Sequence, residues 1–261
     1  MRSMVEPGSQ GEQVGRLLLA VVVVIFLPAL PFGTYLIYPF VILTTWFHEM
    51  GHGLSAIVMG QDFQRLIIYA NGSGVAESFV DADASRLTQA AIAAGGPLAP
   101  SFVGAGLILA SAHRKLWRPT LVAMAVAIFV SVIIYVRSEV GVAVLPLVGA
   151  LLVLIAWRAK DGFVRFSLQF LGVLAAMSML RDFNYLFTEE AVIGGRRILS
   201  DTGAIEAALV LPHWFWAGAI LLVSATMVAL SLRYALSERR LRTPSAPRPA
   251  NVLQFRRPPR D

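Results

Sequence analysis

Long apolar runs constrain this chain more than any other feature. About seven segments reach or approach the ~20 residues that a helix needs to cross a bilayer. They lie at roughly 16–36, 39–59, 87–112, 119–136, 140–157, 163–187 and 207–232. In lipid every backbone polar group must be satisfied inside the protein, which leaves helices as the simplest solution for such runs. The 261 residues are 57% hydrophobic and only 15% charged, which excludes an ordinary soluble domain. We therefore expect an all-α polytopic membrane protein with one transmembrane domain over residues 1–236. Residues 237–261, rich in Arg and Pro, read as a basic, disordered tail. No small-residue cleavage site follows the first apolar run; Pro28, Pro31 and aromatic residues do. That run reads as a retained span rather than a leader.

The net charge is +6, but its placement argues against nucleic acid as a partner. Three basic residues sit in segment 113–118, three in 158–165, and seven in the tail from Arg239 onward. Segments 60–86 and 188–206 are net acidic. This alternation is how topology is written into a membrane protein, with Lys and Arg retained on the cytoplasmic side. The partner that the charge implies is the lipid bilayer, and the location a cell membrane crossed several times.

One segment breaks the apolar pattern. The second run contains "FHEMGHGL", Phe47 to Leu54, which fits H-E-x-x-H through His48, Glu49 and His52. On a helix, residues i and i+4 share a face, so two imidazoles can grip one Zn²⁺ while the Glu reaches a water beside it as general base. Ionisable groups inside a membrane span are costly and mark a functional site by default. Gly51 and Gly53 weaken the helix by roughly 1 kcal/mol each, which a close approach by another element would justify. The chain has no Cys, so any further ligand is His, Asp or Glu.

A catalytic zinc has three protein ligands and an open position. Asp182, in "MLRDFNYLF" near the end of the sixth run, matches the depth of the histidines and is the preferred third ligand. Its structural explanation would be pairing with Arg181. Asp201, in "SDTGAIEA", is the alternative ligand on the same side of the membrane, although that stretch also reads as an N-cap and first helical turn. His113 lies in a basic loop on the opposite side, and His213, in "PHWFW", reads as part of an aromatic interface belt.

H-E-x-x-H within a span, a Gly-rich polar segment after it, and Gly-Pro in the next span ("AAGGPLAP", 93–100) resemble the site-2 protease family (peptidase family M50). In particular they resemble its short bacterial form without PDZ or CBS domain. The resemblance covers roughly residues 36–187, more weakly through the seventh run. It implies a zinc-dependent intramembrane endopeptidase of the bacterial plasma membrane, with one Zn²⁺ per chain and a membrane-protein substrate. His48 and His52 would be ligands and Glu49 the base. The family's third ligand is usually an Asp within a short Asp-Gly motif. This chain departs from that pattern: Asp182 precedes Phe183, and Asp161-Gly162 lies in a basic loop. Asn184 is a candidate for orienting a substrate carbonyl.

"LIIYANGSGVAES" (66–78) has two apolar or alternating runs around Asn-Gly, a β-hairpin signal after the second span. The resemblance implies that this element, with Asn71, Gly72 and Gly74, positions an unwound substrate strand by β-augmentation. A second class of function is a membrane binding or regulatory protein that keeps the fold without turnover; an intact Glu49 argues against it. A metal-ion carrier would need further acidic residues in the fourth and fifth spans.

Overall fold

The computed structural model describes residues 10–237, so the expected tail lies outside the described residues. Nine helices and two small antiparallel hairpins are present among them. Six helical stretches are long and apolar enough to cross a membrane: Gly11–Ala29, Arg86–Ser111, Arg114–Ile134, Glu139–Arg158, Asp161–Arg181 and His213–Ala235. They contain helices α1 (Gln10–Phe26), α3 (Arg86–Ser111), α4 (Trp117–Ile134), α5 (Glu139–Arg158), α6 (Asp161–Arg181) and α9 (His213–Ala235). The H-E-x-x-H segment lies on α2 (Gly33–Val58), which is not among the six. Its 26 residues reach about 39 Å, enough to cross, but its His, Glu, Thr and Gly residues make it less apolar. The multi-pass membrane architecture thus stands, with six spans by length and composition where about seven were expected.

Proline sets several of the boundaries. α1 gives way at Leu27 to a 3-10 turn containing Pro28, as the ring's missing donor requires. The expected seventh run starts later, as α9 (His213–Ala235) after Pro212, and a short helix, α8 (Asp201–Ala208), precedes it. The sixth helix ends at Arg181 rather than 187, and a single turn, α7 (Phe183–Leu186), follows.

The predicted hairpin is present as β1 (Asp62–Ile68) and β2 (Gly74–Phe79), between α2 and α3. Asn71 shapes its turn, accepting from Ser73 N at 3.0 Å and Ser73 Oγ at 2.8 Å, while Gly72 takes φ +85°. A second hairpin, β3 (Glu190–Ile193) and β4 (Arg196–Leu199), occupies what the sequence suggested was a polar loop. Gly194 and Gly195 link its strands with positive φ at both positions, the requirement of a type I′ turn.

Three helices form the centre. α2 packs on α3, and α3 on α6, with the α4–α5 pair closing one side, α1 against α6 and α9 against α3. The main core draws Ile42, Leu43, Trp46 and Phe47 from α2, Leu107 from α3, and Leu168, Leu171 and Ala175 from α6. Trp46 donates its indole N–H to Ser131 Oγ of α4 at 2.9 Å, which satisfies the one polar atom of a buried ring. α3 and α6 meet through small residues, as close helix packing in membranes demands. A Cβ at Gly104 would lie 2.8 Å from the Gly172 carbonyl oxygen and 2.9 Å from Ala176 N.

The charged loops sort by end of the bundle. Arg114 and Arg118 both bind Asp161, with contacts at 2.5 and 2.8 Å, so segments 113–118 and 158–165 meet. The two hairpins from the acidic segments border one cavity elsewhere. Replacing Gly104 by Leu is predicted to force α3 off α6 and to destabilise the protein by about 1–3 kcal/mol, the usual cost of overpacking. Thermal unfolding in detergent, followed by circular dichroism, measures it, with Gly106→Leu, which faces open space, as the neutral control.

Candidate metal centre

The helical spacing of His48 and His52 does what the sequence requires of it. Their Nε2 atoms lie 3.2 Å apart on one face of α2. His52 Nδ1 is 2.8 Å from the Ile92 carbonyl of α3, an acceptor only, so the ring donates from Nδ1 and leaves a lone pair at Nε2. The glycines of the motif and of α3 make the crossing possible. A Cβ at Gly96 would overlap the His52 imidazole, one at Gly51 would overlap Gly95 and Ala99, and one at Gly53 the Phe63 ring of β1.

The third group to arrive is Asp201, not Asp182. Asp201 Oδ2 is 3.0 Å from His48 Nε2, and Oδ1 is 3.2 Å from His52 Nε2. His48, His52 and Asp201 are the group of His, Asp or Glu residues able to hold a metal among the described residues. Asp182, the preferred candidate from sequence, ends α6 and lines the same cavity, but its carboxylate turns to Arg181 at 3.4 Å. Asn184 is exposed on α7 and does not border the cavity, so it is not placed to orient a substrate there. Asn71 serves the turn instead of the cavity, whereas Gly72 and Gly74 line it. His113 interacts with Tyr234, and His213 pairs with Glu206 at 2.8 Å; neither joins the centre.

Asp201 is held by its neighbours in sequence. Ser200 caps α8 by accepting from Gly203 N at 3.0 Å, and its own N–H donates to the Glu189 carbonyl at 2.8 Å. Thr202 Oγ1 donates to Leu186 O at 2.7 Å. The base of the second hairpin and the first turn of α8 are thereby tied together, with Asp201 between them. Tyr185 adds a hydroxyl donor to Asp201 Oδ1 at 3.3 Å. Burial, with Asp201 and Glu49 close by, pushes the Tyr185 phenol above its usual range, so it stays a donor.

These donors suit a metal ion. Two imidazole nitrogens at 2.0–2.1 Å from one tetrahedral ion would be about 3.3 Å apart, and 3.2 Å is observed. Asp201 Oδ2 is buried without any hydrogen-bond partner, although the His48 nitrogen is 3.0 Å away. Lone pairs facing one another at that distance are repulsive unless a proton or a cation lies between them. His, His and carboxylate is also a known donor set for catalytic zinc.

Glu49 is buried beside this group, 6% exposed, and its carboxylate accepts from the Ala76 backbone. A Cβ at Gly74 would lie 2.8 Å from Glu49 Oε1, so the glycine leaves room for the acid. The cavity above has a volume of about 770 Å³ and is bordered by both hairpins, α2, the start of α3, and α8.

Compared with family models, the chain matches the Peptidase M50B-like family over residues 17–231. It belongs to that family. The match takes in α2, both hairpins and Asp201. Comparisons with curated proteins and with solved structures returned no match.

Asp201→Ala is predicted to lower zinc affinity at least tenfold, while Asp182→Ala keeps about one zinc per chain. Metal analysis of protein purified in detergent and dialysed against a zinc buffer checks both.

Proposed function

We propose that the protein is a zinc-dependent intramembrane endopeptidase that hydrolyses a peptide bond in or near a transmembrane segment of a membrane-protein substrate. The observation that carries this reading is the convergence of His48, His52 and Asp201 beside a buried Glu49 on the wall of an open cavity. In this reading α2 is the seventh span and the bacterial plasma membrane is the location. The basic segments at Asp161 face the cytoplasm, and the hairpins lie toward the other side.

His48, His52 and Asp201 would hold one Zn²⁺, which would supply Lewis acidity and bring a water's pKa down toward ~7. Glu49 would be the base that takes a proton from a water attacking the scissile carbonyl and the acid that returns it to the departing amine nitrogen. The Ala76 amide fixes the Glu49 carboxylate and keeps it beside the backbone edge of β2.

That edge is suited to an unwound substrate. Leu66 gives its backbone N–H to Tyr135 O and its carbonyl to Arg137 N, both 2.9 Å, on the side of β1 away from β2. Ala76, its partner in the ladder, therefore turns its own backbone groups to the far edge of β2. Ile68, which donates to Ser138 Oγ at 2.9 Å, does the same for its partner Gly74. Gly74, Ala76 and Ser78 border the cavity, so an extended peptide could add there as a third strand through the backbone groups other than the Ala76 N–H, which Glu49 holds. A helical segment has no free carbonyls to offer, so pairing at this edge would hold the substrate unwound.

Glu49→Gln is predicted to lower cleavage of a model membrane peptide by at least about a hundredfold, in keeping with the loss of a general base, while zinc content stays near one per chain. Chelation should abolish wild-type cleavage and added zinc restore it. Full zinc with no cleavage of a broad peptide panel by the wild type would support a binding protein instead.

A further inference from the structure

The second hairpin is the feature of the cavity that the sequence did not announce. Ala191, Val192 and Ile193 of β3 and Ile198 and Leu199 of β4 all border the cavity, and all five are apolar. The charged residues of the hairpin, Glu190, Arg196 and Arg197, do not border it; Glu190 and Arg197 pair with each other at 3.3 Å. Val192 is 70% exposed, whereas Ile198 and Leu199 are more than half covered by protein. Apolar side chains are thus held at the mouth of a cavity whose floor is His48, Glu49, His52 and Asp201. The hairpin has a fixed seat. Its turn rests on Tyr69, which a Cβ at Gly194 would overlap, and its base is tied to α8 through Ser200.

The backbone edge of β2 forms another wall, where Glu49 takes the Ala76 amide and the remaining groups of Gly74, Ala76 and Ser78 border the cavity. A ligand for this cavity therefore needs backbone donors and acceptors along one side and apolar groups on the other. An extended peptide with apolar side chains meets both needs, since successive side chains of a strand point to opposite faces. We propose that the β3–β4 hairpin is the specificity wall of the substrate groove, its Ile193 and Ile198 selecting apolar side chains beside the scissile bond. This rests on the peptidase reading and adds the class of residue that is recognised.

The test uses the full-length protein in detergent and a set of labelled peptides from one model membrane segment. Residues within three positions of the cleaved bond are changed in turn to Leu, Ser or Lys. Wild type should prefer Leu over Ser by at least about tenfold in kcat/KM at one or more of these positions, and Glu49→Gln protein should bind with the same order of preference. Ile193→Thr with Ile198→Thr should reduce that preference to about threefold or less, with zinc content unchanged. Ile198→Glu should gain affinity for the Lys peptide, an effect that misfolding cannot produce. Equal losses for every peptide, a wild type without preference, or displacement of all peptides by a lipid acyl chain without change on mutation would overturn the proposal. Failure of the wild type to cleave any peptide would count against the peptidase reading, while binding to the Glu49→Gln protein still decides the role of the hairpin.

Discussion

Two imidazole nitrogens and the two oxygens of one carboxylate are held with contacts of 3.0–3.2 Å inside a mostly apolar bundle. Without a cation or a proton between them this arrangement is repulsive, and the fold is arranged to hold it in place. α2 and α3 cross closely enough for His52 to reach Ile92 because Gly51, Gly95 and Gly96 present no side chains there. Ser200, Thr202 and Tyr185 hold the carboxylate from the other side. The first hairpin places Ala76 against Glu49, and Thr45 of α2 secures its turn by donating to Gly72 O at 2.5 Å. Each of these contacts spends packing freedom on the position of three side chains.

Much of this was legible in sequence, because its signals are local. Apolar runs gave the long helices, Pro28 and Pro31 the first break, Asn71-Gly72 the first turn, and His48-Glu49-x-x-His52 two neighbouring imidazoles on one helical face with a carboxyl beside them. Asp201, and not the preferred Asp182, meets the two histidines. Its approach depends on how residues 188–200 fold. Those residues read as a polar loop, yet they carry a hairpin signal of their own: Gly194-Gly195 between Glu190–Ile193 and Arg196–Leu199. Two adjacent glycines suit a type I′ turn, which folds the chain back on itself. Asn184 was suggested by proximity to Asp182 and lost its support with it.

The position of Asp201 has a further consequence. It follows β4 directly, with only Ser200 between them, and Ser200 also bonds the residue before β3. The candidate ligand and the apolar hairpin are therefore one mechanical unit. A displacement of the hairpin large enough to widen the groove would pull on the N-terminus of α8 and on the carboxylate. The Ser200 cap and the Thr202 bond to Leu186 oppose that displacement at the base, and the contact of Gly194 with Tyr69 opposes it at the tip.

The low hydropathy of α2 belongs to the same logic. A helix carrying two His and a Glu is costly to expose to lipid. α2 runs instead between α3, α5, α6 and the first hairpin, and its Ile42, Leu43, Trp46 and Phe47 are buried in the central core. The six apolar helices are what make the polar one tolerable. Of these, α1, α4 and α9 are mostly exposed along their length, whereas the α3 and α6 windows are 50% and 67% buried. Apolar surface that faces lipid gains nothing from being inside the protein, so the outer helices can be plain Leu, Val and Ile. The inner ones need Gly, Ala and Ser to let backbones approach, and it is at those small residues, not at the most hydrophobic ones, that the geometry of the site is decided.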